Sequence, residues 1–197
     1  MKLFALHGHL QSAKRFRGQT NAIARHLKKA GVELVFVDGP HILPDSPEGS
    51  PFRTWVDGDS LEESYKAIEM AHNENPDVVG FFAFSMGSML ALHLAAHAAT
   101  IENSPFKWIK IIISASAPYP KDDSPLQRCF PCQCHVPVLF VSGIIDEIAP
   151  LDSQRRYLEY FPNRSVFEHD GGHYIPSSKD KIQPFIDFVL EQKKNIE

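Results

Sequence analysis

The strongest constraint on this chain is a repeated change of hydrophobic period. Short runs rich in β-branched and aromatic residues alternate with stretches of helical spacing from one end to the other. Residues 2–6, 32–37, 77–83, 108–114, 136–142 and 165–169 read as strands. Between them lie helical stretches. The first opens on Ser12 as N-cap, carries Phe16, Ile23, Ala24 and Leu27 at helical spacing, and stops at Gly31. Others cover 61–72 (closed by Asn75-Pro76), 88–99, 151–161 and 179–193. The run Val78-Val79-Gly80-Phe81-Phe82-Ala83 shows no polar alternation, which marks a strand covered on both faces. Strands that alternate with helices in this way predict an α/β protein: a mostly parallel central sheet of about six strands with helices on both faces. The 197 residues fit one domain, 1–197, with no internal repeat.

One stretch breaks the rhythm. Residues 41–59 are rich in Pro, Gly, Ser and Asp, yet include Leu43, Phe52 and Trp55. A loop this long within a compact domain is usually functional, and its apolar residues suggest a substrate wall. Leu43, Phe52 and Trp55, with Tyr174, are therefore candidates for a substrate pocket.

Charge and composition narrow the function. The formal net charge is −4 and no long basic run occurs, which argues against nucleic acid or an anionic membrane surface as the main partner. No stretch approaches the roughly 18 apolar residues needed to span a bilayer, so no membrane span is expected. The apolar stretch at the N-terminus is too short for a signal-peptide core, and a cytoplasmic protein is expected. The three cysteines cluster as Cys129, Cys132 and Cys134, followed by His135. Structural zinc sites usually draw on two separated ligand pairs, and no second pair exists. The expectation is reduced thiols in a loop, with no metal. The turn His7-Gly8-His9-Leu10 lacks the glycine spacing of a phosphate-binding loop, and no cofactor is expected.

The chemistry centres on Ala83-Phe84-Ser85-Met86-Gly87. It joins a buried strand to an Ala-rich helix, the setting of a nucleophile elbow, Gly-x-Ser-x-Gly. Small flanking residues are needed because strand and helix approach closely at that turn. Alanine replaces the first glycine here. A serine hydroxyl is a weak nucleophile and needs a base oriented by a third group. In the α/β-hydrolase fold the chain order is Ser, acid, His, each beyond a strand end. Asp146 follows the strand at 136–142, and His173 follows the last strand in Asp170-Gly171-Gly172-His173. Glu147 and Asp152 come later, toward the next helix, and His169 reads as a strand residue. His93 and His97, on the helix after Ser85, read as packing or surface residues. The backbone N–H of Met86 is one oxyanion donor, and that of Leu10 or His9 supplies the second.

These segments resemble the FSH ("family of serine hydrolases") group, which includes the OVCA-type hydrolases. The likeness is carried by Leu6-His7-Gly8-His9-Leu10-Gln11-Ser12, by Phe84-Ser85-Met86-Gly87-Ser88 and by Gly171-Gly172-His173-Tyr174-Ile175-Pro176. Val37-Asp38-Gly39-Pro40-His41 and the acid turn Ser142 to Pro150 extend it over nearly the whole chain. The chain departs from the family in Ala83, where Gly is usual, in Met86, where Gln is frequent, and in a short 41–59 segment. The resemblance implies a cofactor-free esterase or thioesterase with a compact, largely lidless site. Some members of the group release acyl products from polyketide synthases. The expected partner is a small-molecule ester or thioester; the sequence assigns no oligomeric state. The competing expectation is a non-catalytic binding protein on the same fold, with Ser85 blocked or misaligned.

Overall fold

The computed structural model describes residues 1–197 apart from Asp45, Glu48, Ser50 and Glu197. Its centre is a sheet in which consecutive side chains go to opposite layers. In β1 (Lys2–Leu6), Leu3 and Ala5 face one apolar layer while Phe4 and Leu6 face the other. The same division holds in β5 (Val78–Phe84), with Phe82 and Phe84 opposite Phe81 and Ala83. This explains why these strands read as unbroken apolar runs: both faces are buried.

Six strands run parallel in the spatial order β2-β1-β5-β6-β7-β8. The remaining four are β2 (Glu33–Val37), β6 (Ile111–Ala115), β7 (Val138–Gly143) and β8 (Arg164–His169). Helices α1 (Ala13–Lys29) and α5 (Gln183–Ile196) cover one face through Phe16, Ile23, Phe185 and Phe188. Helices α2 (Glu62–Glu74), α3 (Met86–Thr100) and the short α4 (Leu151–Arg155) lie on the other. There Ile68, Leu90, Leu92, Tyr157 and Phe161 fill the core. Ser12 caps α1, its side chain accepting from the Arg15 N–H, as expected.

The chain moves from β1 outward to β2, then crosses to β5 on the other side of β1. The crevice beyond the carboxyl ends of β1 and β5 is therefore the switch point where open α/β sheets bind ligands. The loop after β1 and the turn after β5 both lie there.

Several boundaries differ from the sequence reading. The strand expected at 108–114 begins only at Ile111, because Trp108 turns aside to stack on His72 at 4.1 Å between ring centroids. The last helix starts at Gln183 rather than 179. Pro184 lacks an N–H, and only a first turn accommodates that. Residues 151–161 form one short α-turn and then a 3₁₀ turn, Arg156–Glu159. The 41–59 segment contains a small hairpin of β3 (His41–Ile42) against β4 (Arg53–Thr54); three of its residues lie outside the described set.

Candidate active site

Ser85 occupies the sharp turn between β5 and α3 with φ 54° and ψ −120°. A positive φ costs a non-glycine residue roughly 1–3 kcal/mol and persists only where neighbours impose it. The Ser85 N–H donates to Ala115 O at 2.9 Å, anchoring the turn to β6. Ser88 reinforces this by donating to Ala115 O and accepting from the Ala115 N–H, both at 3.0 Å. The first turn of α3 then packs directly on the end of β1. A Cβ at Gly87 would stand 2.5 Å from Leu6 O and 2.6 Å from His7 O, so only glycine fits. Ala83, by contrast, is fully buried within β5 and fits where the motif usually has glycine.

Asp146 lies in the turn after β7, 4 % exposed. Its Oδ1 accepts from the N–H groups of Ile148 (3.0 Å) and Ala149 (2.7 Å), which fix the carboxylate's direction. Ser142 and Gln154 brace this turn from below: the Ser142 hydroxyl donates to Gln154 Oε1, and Gln154 Nε2 donates to Ala149 O. The loop carrying His173 rests on the same turn. Ile145 N–H donates to Gly171 O at 3.2 Å, and a Cβ at Gly143 would collide with the carbonyl oxygens of Gly171 and Gly172.

These supports bring three side chains into one line. His173 Nδ1 lies 2.8 Å from Asp146 Oδ2, and His173 Nε2 lies 2.9 Å from Ser85 Oγ. A carboxylate accepts only, so Nδ1 carries the proton and the Nε2 lone pair faces the serine hydroxyl. The imidazole also packs on Phe84, centroids 4.9 Å apart. Ser85 remains 9 % exposed at the surface of the crevice. Glu147 and Asp152 take no part in this line, and His169 sits at the end of β8, accepting the Gly171 N–H.

The loop after β1 faces the serine. Leu10 has φ 59° and is half exposed. His7 is fully buried beneath it: its Nε2 accepts the Gly39 N–H at 2.9 Å, so its Nδ1–H donates to Gly8 O at 2.7 Å. Desolvation holds this imidazole below the usual histidine pKa, consistent with a neutral structural role. His9 is hydrogen-bonded through Nδ1 to Thr54 Oγ1, 3.1 Å, and the Thr54 hydroxyl also contacts Met86 Sδ at 3.0 Å. Gln11 closes the loop, its Oε1 accepting the Gly8 N–H at 3.0 Å. The sequence reading overlooked Gln11 and Thr54. Only the three-residue return from Gln11 to Gly8 hinted at such a closure.

The four candidate pocket residues do not share a wall. Trp55 is a correction: it has no exposed surface, and its Nε1–H donates to His7 O at 2.8 Å, so it props the loop from within the core. Phe52 lies under the Arg15 guanidinium, 4.6 Å away, and Leu43 N–H pairs with Phe52 O in the hairpin. Tyr174 alone lines the cleft beside His173, a space of about 240 Å³ between α1 and the histidine loop.

Cys134 is buried and its thiol contacts Ala95 O, while Cys129 and Cys132 are half-buried; all three are free thiols. Burial pushes the Cys132 thiol up to about 12. Among the described residues no group of three or more His, Cys, Asp or Glu is placed to hold a metal ion.

A parallel, doubly covered sheet with a serine at the elbow after a central strand is the α/β-hydrolase architecture. The solved structure of Arabidopsis thaliana SOBER1 superposes on it with a TM-score of 0.68, at 15 % identity, covering 98 % of this chain and 100 % of that one. The family model described as "Serine hydrolase (FSH1)" matches residues 1–185, and the chain belongs to that family. Among curated relatives it is 27 % identical to human Esterase OVCA2, over 96 % of this chain and 95 % of that protein. It is 25 % identical to Esterase AAEL000016 of Aedes aegypti, over 98 % and 76 %. The protein is thus a serine hydrolase. Among the described residues no helix is long and apolar enough to cross a membrane.

Proposed function

We propose that this chain hydrolyses carboxylic esters or thioesters through an acyl-enzyme, with Ser85, His173 and Asp146 as catalytic triad. The observation that carries the reading is the unbroken hydrogen-bonded line from Asp146 through His173 to Ser85. As Ser85 Oγ attacks the acyl carbon, His173 Nε2 takes its proton. Asp146 stabilises the imidazolium and keeps the ring oriented. The carbonyl oxygen becomes an oxyanion held by the backbone N–H of Met86, which lies in the first turn of α3 and has no intrahelical acceptor. A second N–H comes from the loop after β1. The strained, left-handed backbone of Leu10 favours Leu10 over His9. His173 then passes its proton to the departing oxygen or sulfur as the bond to the acyl carbon breaks. Water, deprotonated by the same histidine, releases the acid and restores Ser85. The substrate is a small-molecule ester or thioester, and no cofactor enters any step.

The rival reading, a binding protein without turnover, needs a misaligned or covered serine. Ser85 is aligned at 2.9 Å and reaches the surface, which supports catalysis instead. A fluorophosphonate probe tests the point. Wild type should label and Ser85→Ala should not, and p-nitrophenyl esters or acyl-CoAs of graded chain length should be hydrolysed only by wild type. Equal labelling of the two proteins, or none of wild type, overturns the proposal.

A further inference from the structure

The cleft beside His173 has walls of two kinds. Phe16, Phe84 and Ile175 supply apolar surface, and Gln11 and Gln19 supply a pair of carboxamides. The pair is ordered: Gln11 Nε2 donates to Gln19 Oε1 at 2.8 Å, while Gln11 Oε1 already accepts the Gly8 N–H. Both carboxamide oxygens are therefore engaged. The N–H groups of Gln19 have no acceptor among the described residues, so this wall offers donors. The neighbouring Thr20 hydroxyl is spent on Phe16 O at 2.7 Å. Among the described residues no Lys, Arg, Asp or Glu lines the space, so no charged side chain there pairs with an ionic group. Its volume is about 240 Å³, room for a short chain.

His173 forms one wall of this cleft. In the proposed hydrolysis, on which this inference rests, Nε2 must hand its proton to the departing atom. The group attached to that atom must then run along the histidine side of the crevice, away from the oxyanion donors at Met86 and Leu10. We propose that this cleft is the leaving-group subsite, and that the Gln19 carboxamide selects a short, uncharged leaving group bearing an acceptor oxygen, such as an ether, a carbonyl or a hydroxyl. The acceptor oxygen takes a hydrogen bond from Gln19 Nε2 while the carbon chain packs on Phe84 and Ile175. An alkyl chain of equal length displaces water from that donor without replacing its hydrogen bond, which disfavours the alkyl ester.

The test compares 2-methoxyethyl butyrate with n-butyl butyrate, matched in length, each rate divided by that of alkaline hydrolysis to remove intrinsic reactivity. Wild type should favour the ether by about tenfold in kcat/KM. Gln19→Glu keeps the acceptor for Gln11 and loses the donor, and Gln19→Leu loses both; in each the preference should fall to about one. Gln19 is exposed on α1, so both substitutions are compatible with folding. If wild type turns over both esters without preference, or the preference survives in both variants, the subsite assignment is wrong and the hydrolase reading stands. If wild type neither labels with fluorophosphonate nor hydrolyses any ester, the hydrolase reading itself fails and takes the subsite with it.

Discussion

Asp146 shows how a single carboxylate is committed in advance. It is nearly solvent-free and accepts two backbone N–H groups besides the imidazole. Asp146→Asn keeps an oxygen for Ile148 and Ala149 but turns an N–H₂ toward His173, which forces the proton onto Nε2 and removes the lone pair facing Ser85. A loss of about 10⁴-fold in kcat is expected, with an unchanged circular dichroism spectrum and melting temperature within a few degrees. A small loss in kcat would show that the orienting role lies elsewhere. The three triad candidates were legible in the sequence because each follows a strand in a turn that also carries a glycine. The supports were not. His7, Gln11 and Thr54 act through hydrogen bonds across the loop, and such bonds leave no periodic trace.

At the scale of elements, the same substitution should have opposite signs in two helices. Gly87→Ala drives a methyl into the carbonyls of Leu6 and His7. It should cost about 1–3 kcal/mol by urea denaturation, and displacing the start of α3 should lower kcat/KM by about 10²-fold. Gly18→Ala, in the middle of α1 with open space around it, should stabilise by about 0.4–1 kcal/mol. Destabilisation by both would refute the close contact as the cause. The inner strands β1, β5, β6 and β7 were readable because burial on both faces leaves apolar runs, whereas the edge strands β2 and β8 are partly exposed and were marked by β-branched and aromatic residues. The spatial order of the six was not readable, since it depends on crossovers rather than on any local pattern. Two-residue strands such as β3 and β4 fall below any detectable period. Trp55 was misread for the same reason: a loop has no face, so nothing in its sequence says whether an aromatic points inward.

The whole molecule carries several histidines kept neutral by burial. Desolvation lowers the pKa of His7, His72, His93, His97 and His169, and that of His93 to about 4. His93 donates through Nδ1 to Leu126 O, and its Nε2 faces the Tyr65 hydroxyl and the Cys129 thiol. The unfolded chain takes up a proton at an ordinary histidine value near 6.5, the folded chain only near 4. Between these values the unfolded state binds more protons, so stability falls as pH drops through 6.5 and the loss levels off below about 4. From pH 7 to pH 5 His93 alone should account for about 2 kcal/mol of lost stability. His93→Gln should flatten that part of the profile in urea titrations at the two pH values. An equally steep loss in the variant would assign the acid sensitivity to other groups.

The contact of Gly143 with the carbonyls of Gly171 and Gly172 has a practical consequence. Two loops that touch main chain to main chain keep their spacing whatever side chains border them. Ile145 and Ile148 enter this support through main-chain N–H groups alone, and their side chains are both 68 % exposed. A mutant library that randomises these two side chains, proline excluded, should leave the hydrolysis of a small ester running. The spacing of acid and base is thus held by main chain, and redesign of the neighbouring side chains can begin there.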